Sequence, residues 1–227
     1  GRADRGRKTA NDILCEFRDT VVTFFRKPQV WVGICFMLFY RMPEGLLAKI
    51  SALFLVDKVS NGGLGLSDGE FGLVQGTVGV IGLTLGGILG GICASRDGLK
   101  RWLWPMVLAI TLPDLVYVYL SYVQPSDLIN IGTCIFIEQF GYGFGFSAYM
   151  LYLIYYSQGE HKTAHYALCT AFMALSMMIP GLFAGALQEA VGYQGFFLIV
   201  VVCCAMTYIV SALLKIDPEF GKKKAEN

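Results

Sequence analysis

The sequence predicts an all-α integral membrane protein, a bundle of six transmembrane helices. Three observations predict it: a shortage of charge, six long apolar stretches, and a lopsided distribution of lysine and arginine. Of the 227 residues, 55% are hydrophobic and only 15% are charged, with a mean hydropathy of +0.56. Soluble domains carry about 25% charged residues. The hydrocarbon core of a bilayer is roughly 30 Å thick, so about 20 apolar helical residues cross it.

The elements follow in order. Residues 1–29 are polar and basic, and Ile13, Leu14, Phe17, Val21, Phe24 and Phe25 fall near one helical face opposite Asp12, Glu16, Arg18 and Asp19. This pattern predicts a helix lying on a membrane surface or against helix ends, or else an ordered linker. The six apolar stretches cover residues 30–56, 71–94, 102–123, 128–156, 164–187 and 195–214. Segments of this length without alternating polarity exclude strands. Residues 60–69, 95–101, 124–127 and 157–163 read as short polar turns, and 216–227 as a basic tail. The chain opens on Gly1, with no short apolar signal region, and reads as an internal piece of a longer protein.

Basic residues orient a membrane bundle, because lysine and arginine are retained on the cytoplasmic side. With six crossings, all but Arg41, Lys49 and Lys58 of the 18 basic residues fall on the side that holds both ends. Both termini are therefore expected in the cytoplasm. An odd number of helices would scramble this partition.

Composition and motifs narrow the function classes. A net charge of +1 gives no footing for nucleic acid. No G-x-x-x-x-G-K-[ST] loop supports ATP-driven transport. No H-E-x-x-H or G-x-S-x-G supports an intramembrane hydrolase, although Glu138 or Asp114 would be the residues for one. A non-transporting scaffold or receptor is a further alternative. The seven cysteines form no C-x-x-C pair and read as packing residues. His161 and His165 are spaced i, i+4 but lack a completing ligand set, so they read as surface histidines. No metal and no cofactor are expected.

Charges inside apolar stretches cost at least about 2.5–3.5 kcal/mol each, and such residues face a cavity or a partner. The first stretch carries Arg41 and Glu44, with Pro43 and Gly45 flanking the glutamate. Proline removes a backbone donor and favours a break, so this reads as a discontinuous helix with an ionisable pair at the break. An intrahelical pair that only neutralises itself is the alternative. The fourth stretch carries Glu138 and Gln139. Glu138, Tyr142, Gly145, Tyr149, Tyr152 and Tyr156 recur there at helical spacing, a polar and aromatic stripe suited to lining a water-filled path. Tyr152 and Tyr156 also suit an interfacial aromatic belt. The predicted solute and proton pathway is therefore Arg41, Glu44, Glu138, Gln139, Tyr142 and Tyr149. Paired irregularity in the first and fourth helices points to a binding site at the midplane between two three-helix repeats.

The second stretch ends in GGICASRDGLKR. Its Gly91, Ser95, Arg96, Gly98, Lys100 and Arg101 resemble the loop signature G-x-x-x-(D/N)-R-x-G-(R/K)-(R/K) of the major facilitator superfamily. Ser95 stands where that family has an acid or amide, and Leu99 where it has a base. The resemblance implies a gating loop, whose acid supports a charge network closing the cytoplasmic side; Ser95 cannot serve as that charge. Glycines spaced four apart (Gly72 and Gly76; Gly82, Gly86 and Gly90; Gly87 and Gly91; Gly181 and Gly185) allow close helix contact. The resemblance places these helices between transporter halves; tight packing within one bundle fits equally.

The stretches FMLFYRMPEG and EQFGYGFGFSAYMLYLIYYSQ, running on into residues 161–197, further resemble the AmpG-like muropeptide permeases and their acetyl-CoA-transporter relatives. That resemblance covers most of residues 30–215. It implies the C-terminal half of a twelve-helix carrier, two three-helix inverted repeats, with a six-helix N-terminal half as partner. It implies proton-coupled uptake of a small solute such as a muropeptide, sugar or sugar-peptide across a bacterial inner membrane. It also puts the third helix, with Asp114, on the periphery, where Asp114 reads as structural.

Overall fold

The structure, a computed structural model, describes residues 9–223. Arg2, Arg5, Arg7, Lys8 and Lys224, which entered the charge partition above, lie outside the described residues. Every regular element among the described residues is helical.

Helix α1 (Ala10–Phe25) starts at a capping box, in which Thr9 and Asp12 satisfy each other's backbone N–H groups. It docks through Phe24, whose ring packs 5.7 Å from Tyr156 and 5.5 Å from His165. Ile13, Leu14 and Phe17 stay exposed. The first apolar stretch is two helices, α2 (Val30–Phe39) and α3 (Met42–Val56), as the proline predicted. Pro43 lies in the first turn of α3 and offers no N–H to the Phe39 carbonyl one turn back. The carbonyl of Tyr40 at the break accepts instead from Thr207 Oγ1 at 2.9 Å.

After a short turn, α4 (Asp68–Phe71) leads through a π-helical stretch at Gly72–Val78 into α5 (Gly79–Asp97). The expected loop at 95–101 shrinks to a one-residue corner. Gly98 alone leaves the helix, at φ 87° and ψ 160°, and α6 (Leu99–Thr111) begins at once. A single 3₁₀ turn, Leu112–Asp114, separates α6 from α7 (Leu115–Val123), with Pro113 removing the donor there. Then come α8 (Leu128–Tyr156) and α9 (Lys162–Ala212).

Helix α9 has 51 residues and would be roughly 77 Å long if straight, more than twice a bilayer core. It is not straight. Gly192, at φ 74° and ψ 176°, turns it back on itself. Side-chain contacts fix the two directions. His165, near the start, reaches the Thr20 carbonyl at 3.1 Å, and Tyr193, just past the corner, donates to Asp57 at 2.7 Å. Ile216, beyond the second leg, is buried in the same cluster as Phe24 and Leu99. The expected gap between residues 187 and 195 is therefore helical on both sides of one glycine.

The bundle has two ends. At the basic end, Lys27 Nζ donates to the Gln158 carbonyl at 2.8 Å, and the corner at Gly98 meets residues 218–222. At the far end, Gln124 Nε2 donates to the carbonyl of Gly63 at 2.8 Å and to that of Val59 at 3.2 Å. Among the described residues, four helical stretches are long and apolar enough to cross a membrane: Val30–Val56, Asp68–Asp97, Leu99–Val123 and Lys162–Ala212.

Helices α5 and α8 form the tightest seam. A side chain on Gly86 would run into the Phe140 carbonyl, and one on Gly143 into the Leu83 carbonyl, so these backbones touch. Gly82 and Gly90 also face α8, whereas Gly72, Gly76, Gly91, Gly181 and Gly185 face open space. The glycine rows left open by sequence thus divide, and only some serve this bundle. Buried apolar side chains form two clusters. One surrounds Tyr40, Met106, Phe144 and Tyr149 toward the basic end; the other surrounds Leu47, Tyr117, Ile135 and Phe197 toward the far end.

Candidate functional site

Between those two apolar clusters lies a layer of buried charge. The break between α2 and α3 places Arg41 and Glu44, the 3₁₀ turn between α6 and α7 places Asp114, and the middle of α8 places Glu138. All four are at most 8% exposed. One carboxyl oxygen each from Glu44, Asp114 and Glu138 lies within 4.8 Å of the others. Three full negative charges at that spacing in a water-poor interior would repel strongly. The cluster therefore holds protons or a cation in place of part of that charge.

The partners of these groups are few. Glu138 Oε2 accepts from Gln139 Nε2 at 2.7 Å, and Asp114 Oδ2 accepts from the Cys204 thiol at 3.4 Å. Glu44 Oε1 and Asp114 Oδ1 are buried without a hydrogen-bond partner. Among the described residues no ion pair joins Arg41 to Glu44; the ion pairs are at the surface. The expected neighbours at i, i+3 are split by the helix break. Arg41 instead donates to Tyr142 Oη at 2.6 Å, and its guanidinium lies 4.5 Å from the centre of the Phe146 ring. Its Nε has no partner.

A cavity of about 220 Å³ opens beside the carboxyls. Glu44, Ser51, Gln75, Tyr117, Glu138, Gln139 and Tyr142 supply its polar lining. Of the sequence-predicted pathway residues, Glu44, Glu138, Gln139 and Tyr142 line it, and Arg41 reaches it through Tyr142. Tyr149 does not. Its ring is fully buried and its hydroxyl donates to the Met37 carbonyl at 2.5 Å, which makes it a tie between α8 and α2. Tyr152 and Tyr156 line a separate hollow at the basic end with Lys27 and Lys215. Burial against that hollow pulls the Lys27 ammonium pKa below its usual value.

Two residues of the site were not expected, one in the carboxyl triad and one in the cavity lining. Asp114 was read as peripheral and structural, yet it is 1% exposed and completes the carboxyl triad. Gln75 sits in the π-helical stretch with a buried, unpartnered Oε1. Such π bulges occur often at functional sites. The sequence signals were a lone acid after Pro113 and a lone amide in a glycine-rich apolar helix. The sequence offered no set of metal ligands, but the fold gathers one of hard carboxylate oxygens, suited to a hard cation and not to a soft transition metal.

The loop-signature residues sit together at the basic end. Gly91 faces open space. Ser95 Oγ bonds back to the Ile92 carbonyl at 2.8 Å. The local acid is Asp97, which lies 3.8 Å from both Arg96 and Arg101 and accepts from Trp102 Nε1 at 3.0 Å. Lys100 is exposed beside them.

Comparison with known proteins matches residues 17–227 to the model of the Major Facilitator Superfamily. The chain belongs to that superfamily. It is 22% identical over 201 residues to the "Putative transporter AmpG 2" of Rickettsia typhi, covering 88% of this chain and 47% of that protein. It is 26% identical over 186 residues to the anhydromuropeptide permease of Escherichia coli K12, covering 82% of this chain and 36% of that protein. The chain thus spans about half or less of the length of these relatives. Membership of this superfamily makes the chain an integral membrane protein of transporter type.

Proposed function

We propose that this chain is the C-terminal, six-crossing half of a proton-coupled secondary transporter in a bacterial inner membrane. The observation that carries the reading is the triad of Glu44, Asp114 and Glu138 beside a polar cavity, inside a member of a transporter superfamily. The six legs are α2 with α3, α4 with α5, α6 with α7, α8, and the two legs of α9 on either side of Gly192. They fall into two three-helix repeats, and the helix breaks that bear Glu44 and Asp114 belong to the first. In this reading the basic end is cytoplasmic, and the exposed apolar side chains meet lipid and a partnering N-terminal half. In this reading residues 30–215 form the transmembrane bundle, with α1 and the residues around it a surface segment and the chain after 215 a tail.

The cavity lining suits a polar solute with hydroxyl and amide groups, such as a muropeptide, sugar or sugar-peptide. Arg41 stands ready for a solute carboxylate at the cost of its contact with Tyr142. Proton binding to the triad lowers its charge as the solute enters, and proton loss on the other side restores it. Glu138 is the residue with the most to lose, because no lysine or arginine within its own helix satisfies it. A second reading, sodium coupling, draws on the same three oxygens.

Uptake of radiolabelled anhydromuropeptide by proteoliposomes of the full-length transporter tests the proposal. Accumulation is expected to follow an imposed pH gradient, and Glu138→Gln is expected to abolish it while sparing counterflow exchange. Accumulation that follows a sodium gradient instead selects the second reading. Glu138→Gln and Glu44→Gln variants that both accumulate with unaltered dependence on pH would remove the triad from coupling. Topology has its own check: impermeant thiol labelling of Lys222→Cys and Ser67→Cys should require opposite sides of the membrane.

A further inference from the structure

The corner at Gly98 and the tail after α9 form one joint. Residues 216–223 do not hang free. Ile216 is buried against the bundle, and the chain then runs directly beneath the corner at Gly98. The Leu99 N–H donates to the Phe220 carbonyl at 3.0 Å, and the Lys223 N–H donates to the Ser95 carbonyl at 2.7 Å. The Asp217 N–H donates to Tyr155 Oη at 3.3 Å, and the Phe220 ring packs 4.8 Å from the Tyr155 ring. One short segment therefore ties the ends of α5, α6 and α8 to the end of α9.

Gly98 makes this possible in two ways. Its positive φ supplies the one-residue corner, which other residues adopt only at a cost. Its missing side chain also leaves room for the tail. A Cβ there would come 2.9 Å from the Pro218 carbonyl oxygen and 3.2 Å from that of Phe220. Those oxygens belong to backbone that is itself held by hydrogen bonds, so it has little freedom to yield.

The charge pattern explains why a tie is needed. Ser95 replaces the acid through which such a loop would bind another element by charge, and its hydroxyl is spent on its own helix. Asp97 engages Arg96, Arg101 and Trp102, all within the same corner. No side-chain charge on the loop thus crosses to α8 or α9 among the described residues. The backbone of the tail does.

We propose that residues 216–223 act as a strap that holds the basic end closed and must leave the Gly98 corner before the midplane cavity opens to that side. The proposal rests on the transporter reading only in assuming that the basic end opens during the cycle. The net worth of each such backbone hydrogen bond is small, so the tie is firm enough to hold the corner yet reversible, as a gate requires.

The test uses the full-length transporter in proteoliposomes with Ala48→Cys, a position lining the midplane cavity. Its modification by an impermeant maleimide added on the basic side is followed by peptide mass spectrometry, which separates it from the native cysteines. Phe220→Ala, which leaves the Gly98 corner intact, is expected to raise the labelling rate about threefold or more by shifting the population toward the open state. Gly98→Val is expected to do the same if it inserts. Joining Ser95→Cys to Lys223→Cys with a short bifunctional methanethiosulfonate should suppress labelling, and reductant should restore it. Unchanged labelling in Phe220→Ala, or unchanged labelling after cross-linking, would overturn the strap. The readout needs no solute and no gradient, so failure of the proposed transport activity and failure of the strap remain distinguishable.

Discussion

Tyr40, Tyr149 and Thr207 lie as deep in this bundle as Glu44, Asp114 and Glu138, but the two groups are bonded differently. The first three each give their hydroxyl to a backbone carbonyl: Tyr40 to Gly145, Tyr149 to Met37 and Thr207 to Tyr40. Each has one obvious partner on a neighbouring helix and joins α2 to α8 or to α9. In the second group the nearest polar neighbours are mostly one another, and two oxygens have no partner at all. Buried polar groups with fixed partners rigidify a core, whereas an incompletely satisfied set is held at a cost and invites a ligand or a proton. The same protein thus uses buried polarity once as fastening and once as a seat left open.

The largest break in this comparison is expected at the scaffold itself. Gly86→Val drives a side chain into the Phe140 backbone and should cost about 3 kcal/mol or more, because neither helix can yield. Thermal unfolding in detergent should show a large fall in Tm or a failure to fold. Gly91→Val, four residues from Gly87 but facing open space, should leave Tm nearly unchanged. Equal effects at both positions would mean that the seam is not where the stability lies.

Next in size are single members of the two polar groups. Asp114→Asn keeps the shape of the triad and removes a charge, so folding should be preserved while the pH dependence of solute accumulation is lost. Tyr40→Phe should do the reverse, costing about 1 kcal/mol of stability with transport intact. A Tyr40→Phe variant that alters coupling, or an Asp114→Asn variant that alters only stability, would erase the distinction.

The smallest effect belongs to the far end. The Tyr193 hydroxyl, helped by the Asn61 amide, holds the Asp57 carboxyl pKa below its usual value. A carboxyl depressed in the folded state contributes stability at neutral pH that is lost as pH falls through its folded value. Asp57 is only partly buried, so water screens the interaction and the contribution is slight. Between neutral and acid pH, Tyr193→Phe should flatten the dependence of Tm on pH by a small amount.

Much of this arrangement is legible in the sequence, and the illegible part has a physical reason. Pro43 announces a helix break because it withholds a donor, and the break occurs where expected. Glu44 and Glu138 announce a buried site because an unneeded charge in an apolar helix is expensive. Asp114 carries the same signal, but its role depends on meeting Glu44, 70 positions earlier in the chain, and no local pattern reports that meeting. Tyr149 misses the cavity lining for a different reason. Helical spacing shows that it shares a face with Glu138, but 11 residues of rise put it roughly 16 Å farther along α8, where its ring lies 5.5 Å from the Arg41 guanidinium and its hydroxyl ties α8 to α2. A common stripe is not a common environment once the helix is longer than the site. The glycine rows are similarly ambiguous, since Gly86 and Gly91 look alike until a neighbour lies against one of them.

The hairpin corner at Gly192 bears on how the chain enters the membrane during synthesis. In the proposed six-crossing topology, with a single residue between the two legs of α9, little beyond Gln188, Glu189 and Gln194 would be carried across the bilayer when they insert. Two apolar legs joined so tightly enter most cheaply side by side, as one unit. On that topology the stretch Lys162–Ala212 is committed in a single event, and a polar insertion at position 192 would burden biogenesis long before it touched transport.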